Sequence, residues 1–184
     1  MLMRKRKYYI GCLFFITLSF VFGIFPFAYA LDHEFVGVAK CKMCHKKPEQ
    51  GEQFTIWEKT GHAKAFETLG SPEAKGFAEK LGIADPQTSP KCLKCHSTAY
   101  YFTESKVTDV IPVEEGVSCE SCHGPGKDYM KKSVMENKDD AVANGLAVPT
   151  QETCLKCHNQ ESPTFKPFNY EERWAKIQHP VPKA

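Results

Sequence analysis

Four copies of one pentapeptide carry the chemistry of this chain: CKMCH at Cys41–His45, CLKCH at Cys92–His96, CESCH at Cys119–His123 and CLKCH at Cys154–His158. Two thiols separated by two residues and followed at once by an imidazole form the attachment pattern of c-type haem. The thiols, Cys41, Cys44, Cys92, Cys95, Cys119, Cys122, Cys154 and Cys157, form thioethers to the porphyrin vinyl groups, and His45, His96, His123 and His158 become proximal iron ligands. At this Cys and His content about 0.02 occurrences are expected by chance. Structural zinc, disulfides and thioredoxin-like pairs also use Cys-x-x-Cys, but none of them needs a histidine after every second cysteine. Four covalently attached c-type haems are expected.

The cysteine count agrees. Of nine cysteines, only Cys12 lies outside the motifs, within an apolar N-terminal stretch. No thiols remain for a disulfide framework, so haem must stabilise the fold.

The other axial ligands are scarcer. Beyond the four proximal histidines, the seven in the chain leave His33, His62 and His179. Three spare imidazoles face four irons, so at least one iron lacks a second histidine from its own chain. Met130 and Met135 are further candidates, since a thioether can ligate haem iron; the ordinary alternative for both is apolar packing. His33 lies near the start of the exported chain, where the default is a frayed terminus.

The elements that must position these groups read as short helices and loops. Arg4, Lys5, Arg6 and Lys7 precede an apolar run over residues 8–25, and Ala28-Tyr29-Ala30 offers a cleavage site. Residues 1–30 are expected to be a signal peptide or an uncleaved membrane tether, and 31–184 a periplasmic or otherwise exported haem domain. Four of the 24 basic residues lie in that leader and no acids do, leaving 20 Lys and Arg against 22 Asp and Glu. No basic stripe suits nucleic acid, which is excluded as a partner.

With fewer than 40 residues per haem, the porphyrins must share walls, and the expected fold is mainly α, loop-rich and compact with little regular sheet. Pro48–Lys59 reads as a helix. Ser71-Pro72 starts one over Glu73–Leu81, and Asn169 with Glu172 starts one over Tyr170–Gln178, ended by Pro180. Lys106–Pro112 hints weakly at a strand. First-cysteine spacings of 51, 27 and 35 residues exclude a regular solenoid.

Gly116-Val117-Ser118 with CESCHGPG (Cys119–Gly126), TGHAKAFETL (Thr60–Leu69) and the CLKCH between them resemble the tetrahaem cytochrome c-554 family. The resemblance implies a mostly α-helical fold with haems in closely stacked pairs and a role in periplasmic electron transfer. It further implies three bis-histidine haems and an open distal position at the haem of the second motif. His62 stands at the family's His-Ala-Lys-Ala ligand, and His179 corresponds to its late ligand. The chain departs from the pattern after CHGPG, where relatives carry a distal histidine and Lys127–Val134 has none. Either His33 or one of the two methionines then takes that place.

Three functions follow. One is a non-enzymatic carrier of single electrons between a redox-protein donor and acceptor. A second is a small reductase of a nitrogen or sulfur oxide at an open iron beside His96, with Thr98, Tyr100, Tyr101, Phe102 and Thr103 nearby. That chemistry needs an anion-binding cation and proton donors, and Arg173 is the only arginine after residue 30. The third is a subunit of an extracellular filament, with His33 ligating the next subunit's haem. Oligomeric state is open at this level.

Overall fold

The structure is a computed structural model that describes residues 33–101 and 109–180, with backbone alone at Tyr101. The chain divides into two units, Met1–Leu31 and Asp32–Ala184. The leader with Cys12 and its apolar run lies outside the described residues, as do Phe102, Thr103 and residues 106–108 of the expected strand. The second unit is helical and loop-rich, with no strand among the described residues.

Each motif is wound into a short helix. α1 (Val38–His45), α5 (Pro90–His96) and α7 (Cys119–His123) contain the first three motifs whole, and α10 (Gln151–Leu155) begins the fourth. One helical turn brings cysteines three apart onto one face with the histidine adjacent, which is the geometry a porphyrin edge requires. Between them run α2 (Gln53–Trp57), α3 (Ala65–Thr68), α4 (Pro72–Lys80), α6 (Thr98–Tyr101), α8 (Lys132–Met135) and α9 (Lys138–Ala143); α11 (Tyr170–Ile177) follows the fourth motif.

Local start signals act as the sequence suggests. Ser71 Oγ accepts from Ala74 N at 3.1 Å with Pro72 in the first turn of α4. Asn169 Oδ1 accepts from Glu172 N at 3.2 Å at the start of α11, whose last residue is Ile177. The expected helix Pro48–Lys59 is instead a 3₁₀ turn, Pro48–Gln50, and a separate α2. Gly51 (φ 93°) and Glu52 (φ 51°) break it in left-handed conformations. The break lets the Gln53 side chain reach both His45 and Pro180.

The apolar core is thin. Of the nine buried apolar residues described, Ala65, Ala78, Ala99 and Ala141 are alanines, and only Phe54, Leu69, Leu93, Ile111 and Tyr129 are larger. Such a core removes little apolar surface from water. Exposed large side chains include Met43 inside the first motif and Leu155 inside the fourth.

Polar contacts compensate around the third motif. α1 has no cap from its own sequence; its entry is held by two carboxylates from elsewhere. Glu120, fully buried inside CESCH, accepts from Val36 N (3.0 Å), Gly37 N (2.9 Å) and Gly126 N (2.7 Å), and Glu115 accepts from Val38 N (3.1 Å). Burial pushes both carboxyls above the ordinary range, and the backbone N–H groups oppose that shift. The free N–H groups at a helix start and an anionic oxygen suit one another. The first and third motifs are thereby pinned together across more than 80 residues of sequence.

Thr98 does the same between the second and third. Its fully buried hydroxyl lies 2.7 Å from Ser121 Oγ and 3.0 Å from Ser118 Oγ, and accepts from Ser118 N at 2.8 Å. Glu120→Gln would turn an amide N–H₂ toward backbone donors. It is expected to cost the haem-loaded protein about 2 kcal/mol in a denaturant melt, the scale of a lost charged hydrogen bond in a buried site.

Candidate haem-binding site

The eight motif cysteines are unbridged thiols, and they meet across motifs. Cys41 of the first motif lies beside Cys119 of the third, and Cys95 of the second lies beside Cys157 of the fourth. Cys122 of the third lies within charge range of Cys154 and Cys157 of the fourth. Burial pushes the Cys122 thiol up to about 11. Among the described residues no three His, Cys, Asp or Glu side chains converge as a chelate for a bare metal ion.

The proximal histidines are oriented by their second nitrogens. His45 Nδ1 lies 3.0 Å from Gln53 Oε1, His96 Nδ1 2.7 Å from Ala65 O, and His123 Nδ1 3.2 Å from Ala147 O. Each of these oxygens is an acceptor only, so each Nδ1 carries the proton and Nε2 keeps its lone pair for a metal. That is the arrangement in which metal-ligating histidines are usually found. His158 has no such bond described; its ring stacks on Phe168, with centroids 5.0 Å apart.

Two imidazole pairs face each other at the spacing an iron needs. The His62 and His158 ring centroids are 6.0 Å apart, and those of His123 and His179 are 5.9 Å apart. Iron–nitrogen bonds of about 2 Å on each side, plus about 1 Å from nitrogen to ring centre, add to about 6 Å. Burial holds all four imidazoles below their ordinary range, in the neutral form that ligates. His179 Nδ1 is moreover buried without a hydrogen-bond partner, an atom the protein alone leaves unsatisfied. Thiols, oriented imidazoles and paired rings together fit haem.

His62 lies in a turn between α2 and α3. The turn is held from outside. His62 O accepts from Val117 N at 3.0 Å, and Trp57 Nε1 donates to Val117 O at 2.9 Å. Gly116 (φ +66°) passes so close that a Cβ there would stand 2.8 Å from His62 O. His33 is not frayed: its Nδ1 lies 2.7 Å from Asp128 Oδ2, and only 21% of its side chain is exposed. Met130 is 42% exposed, and Met135 is half-buried at the end of α8.

Around His96 the sequence offered Tyr100, Tyr101 and Phe102 as a pocket wall and Thr98 and Thr103 as hydrogen bonders. Thr98 is instead consumed in the buried hydroxyl cluster, and the side chains from Tyr101 to Thr103 lie outside the described residues. Sequence reasoning missed Glu120, Glu115, Gln53 and Asp128. Each acts on a segment remote in sequence, so no local spacing marks it.

Comparison with known proteins decides the family. A profile described as "Cytochrome c554 and c-prime" matches residues 40–124. Cytochrome c-554 of Nitrosomonas europaea is 33% identical over a match covering 74% of this chain and 63% of that protein. The chain belongs to the cytochrome c-554 family. It is a c-type cytochrome of mainly α architecture, and the match spans less than two thirds of the relative's length. No solved structure matches it. Gly116→Val should push the His62 turn away and convert one low-spin iron of the haem-loaded cytochrome to high spin, seen by electron paramagnetic resonance.

Proposed function

We propose that this cytochrome is an exported tetrahaem electron carrier, passing single electrons between a donor and an acceptor protein. Bound haem supplies reversible one-electron exchange at iron; what the chain supplies is attachment, ligation and spacing. The observation that carries the reading is the contact of thiols from different motifs. Cys41 meets Cys119, Cys122 lies near Cys154 and Cys157, and Cys157 meets Cys95. The attachment sites therefore form an unbroken line in the order first, third, fourth, second motif, unlike their order in sequence.

The ligands sort along the same line. His158 pairs with His62 by ring spacing, and His179 lies beside both His123 and His45, so it serves the first or the third motif. His96, oriented by Ala65 O, is assigned the iron open on its distal side. The reductase reading needs a polar group over that iron, and Thr98 is already saturated by Ser118, Ser121 and Gly116. Arg173 acts on His158, whose iron the His62 pairing closes. The filament reading needs a mobile His33, and Asp128 of the same chain holds it.

For residues 1–30 the assignment is a cleaved export signal. Among the described residues no helix is long and apolar enough to cross a membrane.

Pyridine haemochrome on the exported protein should give about four haems per chain, and reductive titration about four electrons. Carbon monoxide should bind the reduced protein at about one per chain. Fewer than four haems would overturn the tetrahaem count, and rapid turnover of nitrite, hydroxylamine or sulfite would replace carrier with reductase.

A further inference from the structure

From the start of α1 to two residues past its end, the ten residues 38–47 carry Lys40, Lys42, Lys46 and Lys47 and no acid. After residue 30 the chain is acidic on balance, so the first motif is a local excess of positive charge. All four lysines are exposed, and none makes an ion pair among the described residues. Lys42 Nζ lies over the Phe54 ring, 4.7 Å from its centroid, which holds one cation of the four in place. Glu49 and Glu52, in the turn that follows, are exposed and pair with none of them.

The other motifs differ. Lys94 of the second pairs with Glu161, and Lys127 after the third pairs with Glu34. The third also holds the buried Glu120, and the fourth sets Glu152 four residues before Lys156.

Helix geometry arranges the lysines of α1 round an apolar centre. At about 100° per residue, Cys41, Cys44 and His45 share the face that takes the porphyrin, and Met43 stands on the opposite side. Met43 is 61% exposed. Ala39 and Lys46 lie beside it on that outer side, and Lys40 and Lys42 flank it. An exposed thioether side chain ringed by cations has the anatomy of a docking patch, an apolar centre within a charged rim. The first motif also ends the line of attachment sites proposed above, so electrons enter or leave the line there or at the second motif. A protein seated on the outer side of α1 would stand one helix width, about 10 Å, from the porphyrin edge.

We propose that the outer face of α1 docks an acidic redox protein, with Lys40, Lys42, Lys46 and Lys47 as the rim and Met43 as the centre. Opposite charge steers such a partner to the patch and raises the encounter rate. One electron then passes from the reduced partner to ferric haem, or from ferrous haem to the oxidised partner, and no bond is made or broken. The proposal rests on the carrier reading above and adds the chemistry of the partner.

The test uses the full, haem-loaded protein, with a reduced plant-type two-iron ferredoxin, an acidic one-electron donor, as the probe. In stopped flow the parent's second-order rate constant should fall at least about tenfold as salt rises from about 20 to about 300 mM. Lys40→Glu, Lys46→Glu and Lys47→Glu together should slow the low-salt reaction at least about tenfold and flatten its salt dependence, with four haems retained. Oxidation of the reduced variant by tris(phenanthroline)cobalt(III), a cation, should be no slower than the parent's. Lys131→Glu, Lys132→Glu and Lys138→Glu together, the same charge change at the starts of α8 and α9, should leave the ferredoxin rate within about threefold of the parent's. Where the α1 triple variant fails to load haem, the single variants Lys40→Gln, Lys46→Gln and Lys47→Gln should each slow the reaction about twofold.

A salt-independent parent rate, or equal rates for the α1 variants and the parent, overturns the proposal. So does an equal loss in the α8–α9 variant, which would make the effect one of net charge. Anionic phospholipid vesicles that bind the parent and not the α1 variant, with ferredoxin rates unchanged, would give the face to a membrane instead. A parent that takes up fewer than four electrons fails the tetrahaem carrier reading and not the docking face.

Discussion

Contact between thiols of different motifs is the constraint on which the rest of this cytochrome depends. Cys41 lies beside Cys119 and Cys95 beside Cys157, so haems attached at these motifs would be neighbours. With fewer than 40 residues of the second unit per motif, the chain has too little protein to enclose a haem at each motif separately. It brings the four motifs together, and in the tetrahaem reading the porphyrins serve as each other's walls. The alanine-rich core fits that reading: Ala65, Ala78, Ala99 and Ala141 are buried but contribute little apolar volume of their own. Folding and haem attachment are then one thermodynamic event, as in small domains that fold only with their metal.

The third motif is the structural centre. Glu120 sits between its two cysteines and gathers the backbone N–H groups that open α1, Ser121 and Ser118 bind Thr98 after the second motif, and Cys122 faces the fourth. A buried carboxylate is expensive to desolvate, and here three backbone donors offset much of that cost. The same approach carries through to two candidate ligands. The glycine turn just before this motif supports the His62 loop, and the loop just after it holds His33 through Asp128.

The c-type cytochrome character was legible in the sequence, because the haem-attachment pattern is written in five contiguous residues. Helix starts at Ser71-Pro72 and Asn169 were legible for the same reason: a cap acts within three residues. The pairings were not. That His62 lies beside His158 and His179 beside His123 depends on contacts spanning 96 and 56 residues, and no periodicity reports them. The expected helix over Pro48–Lys59 broke at Gly51 and Glu52, where the need to bring Gln53 to His45 overrode local propensity. Thr98 looked like a free hydrogen bonder near His96 because its hydroxyl was visible in the sequence while its partners at 116, 118 and 121 were not. His33 looked frayed because position near a terminus says nothing of Asp128.

The most direct test is the set of iron-to-iron distances in the haem-loaded protein, located by anomalous diffraction at the iron edge. The account predicts three short spacings that join the irons in the order first, third, fourth and second motif, with the first and second farthest apart. An iron of the first motif lying nearer to that of the second or fourth than to that of the third would contradict it.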